Sequence, residues 1–124
     1  MEKIQVKTYR DMKVWQKAHE LTLHIYRVTN DFPREERFGL VSQLRRAASS
    51  VPTNIVEGFK RRTTRDYMHF INIADASLEE TKYLLLLSKD LKYLKDSEYA
   101  GLNSNCEEVG RMIGGLEKSL SSRL

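Results

Sequence analysis

The residues with most to offer chemically are basic, and they are unevenly placed. Residues 34–65 hold Arg34, Arg37, Arg45, Arg46, Lys60, Arg61, Arg62 and Arg65 against only Glu35, Glu36 and Glu57. That stretch carries +5 and the rest of the chain −1, within a formal net charge of +4. Such asymmetry suits an anionic partner. Guanidinium and ammonium groups at this density can neutralise phosphates and release counterions without reading base sequence. Lys60, Arg61, Arg62 and Arg65 gather at one predicted turn. Arg45 and Arg46 point away from the neighbouring apolar stripe and are expected to face solvent. Arg34 and Arg37 fall at the far end of the same helix, about 30 Å away at ~1.5 Å per residue. One copy of the chain therefore has no single compact patch; several copies in a ring would repeat the clusters and accumulate phosphate contacts.

Other chemistry is poorly supplied. Glu57 and Glu80 could face each other across two helices, as paired carboxylates do in acid–base work. A structural role fits them better, because a carboxylate near a helical proline can accept from Asn54, Ser77 or freed backbone groups. His19 and His24 are five residues apart, which rotates them by about 140°, so they cannot readily share one ion. No glutamate precedes a histidine by three, the spacing a di-iron bundle needs. The single cysteine, Cys106, lies on an apolar helical face and reads as a buried, inert thiol. No catalytic residue, metal or cofactor is expected.

Four predicted helices position these groups. The first spans residues 11–29, with Val14, Trp15, Ala18, Leu21, Thr22, Ile25 and Tyr26 on one face. Phe32-Pro33 follows its end, and proline disfavours helix in the residue before it. The second spans residues 36–59. Leu40, Leu44, Ala47, Val51, Ile55 and Phe59 keep three- and four-residue spacing across Pro52, so the helix should run through the proline with a kink. Asn54 and Glu57 then lie on or beside the buried stripe and should specify its packing. Thr63-Thr64-Arg65-Asp66 resembles a capping box at the start of the third helix, residues 64–93. The fourth spans residues 96–120, where Gly110, Gly114 and Gly115 suggest close helix approach.

One domain of 124 residues can bury a real core without disulfides. Amphipathic helices joined by short turns make an all-α, antiparallel up-down-up-down four-helix bundle over residues 9–124, with residues 1–8 a loose arm. Leu84, Leu85, Leu86 and Leu87 advance about 100° each and so cover nearly the whole circumference of their helix. With Tyr83 and Tyr93 nearby, that half should pack against another subunit, through Tyr83, Leu86, Leu87 and Tyr93. The chain shows no leader pattern and no apolar run long enough to span a bilayer, so a soluble, cytoplasmic protein with no membrane partner is expected.

The chain also resembles a known family. Phe38-Gly39-Leu40, Gln43-Leu44-Arg45-Arg46-Ala47 and Ser50-Val51-Pro52-Thr53-Asn54-Ile55-Val56-Glu57-Gly58 look like the signature of the bacterial four-helix-bundle proteins encoded within 23S rRNA intervening sequences. Val14-Trp15-Gln16-Lys17-Ala18, Phe32-Pro33, Arg61-Arg62-Thr63, Ala74 and Ser77-Leu78-Glu79-Glu80 extend the match over residues 9–120. Lys60 and Asp75-Ala76 depart from it. The resemblance implies a ring, typically a pentamer, and a fold similar to retroelement accessory proteins that bind nucleic acid. It also implies that Asn54, Glu57, Ser77 and Glu80 form a polar signature, and it supplies no catalytic residues.

Two functions remain open at this stage. One is a non-enzymatic oligomeric scaffold binding structured RNA, or an RNA–protein complex, through Arg45, Arg46, Lys60, Arg61, Arg62 and Arg65. The other is a protein–protein adaptor with no intrinsic nucleic-acid binding.

Overall fold

Each helix is set by an apolar stripe at helical spacing and by a local stop at either end. The computed structural model describes residues 6–124. Helix α1 (Lys13–Thr29) follows a single 3-10 turn, Tyr9–Asp11, that Thr8 caps by accepting from the Arg10 amide at 3.2 Å. Of the predicted N-terminal arm, residues 1–5 lie outside the described residues. The Lys7 and Thr8 amides donate to Asp11 Oδ2 at 2.9 and 3.0 Å.

Helix α2 (Leu40–Phe59) begins four residues later than the sequence suggested, because a 3-10 turn, Arg34–Glu36, and the three residues after it carry the chain round from α1. It then runs without interruption through Pro52. Helix α3 (Thr64–Asp90) opens on Thr63, whose hydroxyl accepts from the Asp66 amide at 3.1 Å, the N-cap half of the capping box that the Thr-Thr-Arg-Asp pattern suggested. Helix α4 (Asp96–Ser121) is closed at its start by the Lys95 amide donating to Glu98 Oε1 at 2.9 Å.

α3 stops three residues short of the expected position. Lys92 adopts a left-handed φ of 65°, and the Tyr93 amide donates back to the Ser88 carbonyl at 2.9 Å. This is the six-to-one closure that glycine usually makes at a helix end. Lys92 carries a side chain in a conformation that disfavours one. Lys92→Gly is therefore expected to raise the unfolding free energy by about 1 kcal/mol, read as a higher urea midpoint at constant slope.

All four helices contribute to one core, and no strand occurs among the described residues. α1 packs on α2 and α4, and α3 packs on the same two helices from the other side. Ala18, Ile25, Leu44, Ala48, Val51, Ile55, Ile71, Ala74, Leu102, Cys106 and Ile113 have no exposed surface. The leucine run divides by angle: Leu84 and Leu85 enter the core, Leu87 is half-buried against it, and Leu86 remains 40% exposed. Gly114 and Gly115 were expected at a close helix contact, but a Cβ at either would meet nothing within 4 Å.

Candidate nucleic-acid interface

The turn between α2 and α3 is short because Gly58 lets the two helices approach closely. A Cβ there would lie 3.0 Å from Tyr67 Cδ1, 3.1 Å from Phe70 Cβ and 3.2 Å from the Tyr67 carbonyl oxygen. Arg61 then fastens the turn. Its Nη2 donates to Glu57 Oε2 at 2.7 Å, its Nε donates to the Glu57 carbonyl at 3.2 Å, and its guanidinium lies 4.4 Å from the Phe70 ring centroid. Arg61 is thus engaged by its own turn although its side chain stays exposed. Lys60, Arg62 and Arg65 are exposed around it, and among the described residues none has a carboxylate within ion-pair distance.

At the far end of α2 the expected orientation of Arg45 is corrected. Its side chain turns onto α1 rather than into solvent. Nε donates to Thr29 Oγ1 at 2.9 Å, Nη2 donates to Asn30 Oδ1 at 3.1 Å and to the Tyr26 carbonyl at 3.2 Å, and the guanidinium lies 4.5 Å from the Tyr26 ring centroid. The guanidinium thus meets one carbonyl in the last turn of α1 and two side-chain oxygens beside it. Arg46, one residue on, is exposed.

This end also holds residues that the sequence reading left out of the site. Phe38 is 89% exposed, with the Arg37 guanidinium 5.5 Å from its ring centroid. Leaving a phenylalanine in water forgoes roughly 2 kcal/mol of burial. Two adjoining clefts of about 340 and 480 Å³ meet here, sharing Arg37, Val41 and Arg45. Phe38 was visible in sequence only as part of a family motif. Its exposure follows from its place before the first turn of α2, where Leu40 and Val41 take the core positions.

The predicted polar signature separates into two parts. Ser50 and Ser77 hydroxyls meet at 2.8 Å between α2 and α3, and Asn54 Nδ2 donates to the Ser50 carbonyl at 2.8 Å and to its hydroxyl at 3.0 Å. Thr81 Oγ1 continues the chain by donating to the Ser77 carbonyl at 2.8 Å. Glu57 and Glu80, by contrast, are exposed, and Glu57 does not lie beside the buried stripe. It sits two residues after buried Ile55, about 200° around the helix, and its partner is Arg61 at i+4. The carbonyl freed by Pro52 finds its partner on α1: the one hydroxyl hydrogen of Thr22 is shared between Ala48 O at 3.2 Å and Ala18 O at 2.9 Å.

Two comparisons with known proteins agree with this architecture. The family model described as 23S rRNA-intervening sequence protein matches residues 10–115. The chain belongs to that family. The match includes both basic ends of α2 and the whole Ser50–Asn54–Ser77 contact. The chain is also similar in fold to a crystal structure of a protein with unknown function from the S23 ribosomal protein family of Bacteroides thetaiotaomicron VPI-5482. That comparison has a TM-score of 0.79 at 24% identity, covering 85% of this chain and 95% of that one. No curated protein matches the sequence.

Within this family member the remaining candidate groups have ordinary structural surroundings. Burial, above all, pushes the Cys106 thiol up to about 12, so it stays protonated at neutral pH. His24 Nδ1 pairs with Asn105 Nδ2 at 3.3 Å, while His19 stacks on Trp15, so the two imidazoles serve different neighbours. Tyr93, expected at a subunit contact, is half-buried within the chain. Its hydroxyl donates to Glu36 Oε2 at 3.0 Å, which raises its pKa, and its ring tilts against Phe32. Tyr83 is 60% exposed on α3, near Leu86. Among the described residues no helix is long and apolar enough to cross a membrane.

Proposed function

We propose that this chain is the protomer of a non-enzymatic, cytoplasmic, oligomeric scaffold that binds structured RNA through its basic surfaces. The observation that carries this reading is the group of exposed cations at the α2–α3 turn, Lys60, Arg62 and Arg65, with no carboxylate partner among the described residues. Cations held together without counterions on their own protein suit a phosphate backbone. Membership of a family named for sequences within 23S rRNA supports RNA as the class of partner. Arg46 extends the surface, Arg45 orders it from the α1 side, and exposed Arg61 belongs to it while held by Glu57.

The bundle, residues 9–124, acts as one unit with an up-down-up-down course. Two sets of cross-bundle contacts support that course: Tyr93 meets Glu36 and Phe32 at one end, and the Tyr67 hydroxyl reaches Met12 Sδ at 3.9 Å at the other. Protomers associate into a ring, in our reading a pentamer. Exposed Tyr83 and Leu86 lie at the subunit contact, with Leu87 and Tyr93 lining it from the protomer side.

Salt dependence tests this reading. Wild-type affinity for a structured rRNA fragment is expected to fall by orders of magnitude between about 50 and 200 mM salt. The Lys60→Ala, Arg62→Ala, Arg65→Ala triple variant should flatten the slope of log affinity against log salt by about two, each lost phosphate contact removing somewhat under one unit. Fluorescence anisotropy on protein of known oligomeric mass measures both. An unchanged slope would remove the turn from the interface. No wild-type binding at low salt would leave the protein–protein adaptor as the better account.

A further inference from the structure

We infer that the cleft between the end of α1 and the start of α2 takes unpaired nucleotides, with a base stacked on Phe38 and the adjoining phosphates on Arg34, Arg37 and Arg46. This rests on the RNA-binding reading and adds to it a second kind of contact at the opposite end of α2 from the turn cluster. Three observations carry it. Phe38 presents a π-face at 89% exposure, on the rim of the larger cleft of about 480 Å³. No acidic residue lines either cleft, and among the described residues Arg34, Arg37 and Arg46 have no carboxylate within ion-pair distance. The floor is pre-ordered, because Arg45 is fixed on the Tyr26 ring and the Thr29 hydroxyl rather than free to collapse into the space.

The chemistry of this combination is specific. Duplex RNA hides its base faces, so an exposed aromatic gains nothing from it beyond shape. A single strand, loop or bulge offers bases that can be splayed out and stacked, while its phosphates meet cations a few ångströms away. The Arg37 guanidinium already lies over the Phe38 ring, 5.5 Å from its centroid, and can meet a phosphate beside a base stacked on that aromatic. Of the acidic side chains flanking these arginines in sequence, Glu36 accepts from the Tyr93 hydroxyl, and exposed Asp31 and Glu35 are not among the residues lining either cleft. A helix start bearing arginines alone would bind duplex and single strand alike; the aromatic is what separates them.

The test is anisotropy with a fluorescein-labelled single-stranded RNA of about eight nucleotides and a duplex of equal length, using wild type, Phe38→Ala and Phe38→Trp. Phe38 buries almost nothing, so both variants are expected to fold. Phe38→Ala should weaken single-strand binding by roughly 5- to 100-fold, and duplex binding at least five times less than that. Phe38→Trp should retain single-strand affinity and show fluorescence quenching on binding, relative to the wild type with Trp15 alone. Equal losses on both RNAs, or no loss on either, would overturn the inference. A lower oligomeric mass for Phe38→Ala in light scattering would also overturn it, assigning the face to contact between copies. Wild type that binds the duplex with a steep salt slope but not the single strand would sink the cleft assignment alone. Wild type that binds neither would sink the RNA reading as well.

Discussion

Thr22→Val is expected to destabilise the wild-type protein by about 1–2 kcal/mol, and to do so much less when Pro52 is already alanine. The reason lies in the backbone of α2. Pro52 has no amide hydrogen, so the carbonyl four residues earlier, that of Ala48, loses its helical donor. Ala48 has no exposed surface, and water cannot replace that donor. Thr22 of α1, a residue only 8% exposed, offers a replacement: its one hydroxyl hydrogen is shared between Ala48 O at 3.2 Å and Ala18 O at 2.9 Å. Valine has threonine's shape and no hydroxyl, so it leaves the Ala48 carbonyl orphaned. In a Pro52→Ala background the new amide can bond the same carbonyl, and the threonine becomes dispensable. Pro52→Ala alone should gain roughly 1–3 kcal/mol, since a mid-helix proline costs about 3. Urea denaturation of the four proteins completes the cycle. Strictly additive changes would mean that Thr22 is not the carbonyl's donor.

The same pair shows where sequence reading reaches and where it stops. The stripe Leu44, Ala47, Val51, Ile55 announced that the helix crosses Pro52, because apolar spacing is local and survives a missing hydrogen bond. Which residue rescues the freed carbonyl is a fact of tertiary contact. Thr22 precedes Ala48 by 26 positions, and nothing local links them. Arg45 is the same case. Its angle on α2 correctly placed it off the core stripe, yet its partners on α1 are 15 to 19 residues away. Glu57 is different, because the sequence carried its answer. A glutamate in the last turn of the helix, four residues before Arg61, can meet it just past the helix end, and Ile55 fixes the opposite face as buried. The end of α3 was obscured for a third reason: Lys92 stands where a glycine would have signalled the stop.

The candidate interface was partly legible on the same terms. Charge density named the turn cluster Lys60-Arg61-Arg62 and Arg65, four cations within six residues, and among the described residues only Arg61 is paired with a carboxylate. Phe38 was not legible as a site residue. An aromatic among apolar neighbours reads as core, and only the order of residues around the Arg34–Glu36 turn leaves it outside. Arg34 and Arg37 were set aside for their distance from the turn cluster; their significance comes from the company of Phe38 at their own end of α2.

Gly58→Ala is expected to lose about 1–3 kcal/mol, opposite in sign to what helix propensity predicts. In a solvent-exposed helix the same change gains roughly 1 kcal/mol, because alanine restricts the unfolded chain and glycine does not. Gly58 is buried where α2 meets the first turns of α3. A Cβ would sit 3.2 Å from the Tyr67 carbonyl oxygen and 3.1 Å from Phe70 Cβ, and neither can rotate away as a side-chain tip could. The two helices would have to separate by a few tenths of an ångström, loosening the Arg61 contact with Phe70 that closes the turn. Gly114→Ala and Gly115→Ala provide the internal control. Nothing lies within 4 Å of either position, so each should gain up to about 1 kcal/mol in thermal or urea unfolding. Gly58→Ala that stabilised the protein as those two do would mean that α2 and α3 do not approach as closely as the Tyr67 and Phe70 contacts require. The loss of Gly58's close approach should also show in function. Lys60, Arg62 and Arg65 are carried on the turn that this approach shortens, so folded Gly58→Ala should bind structured RNA more weakly than wild type at equal salt.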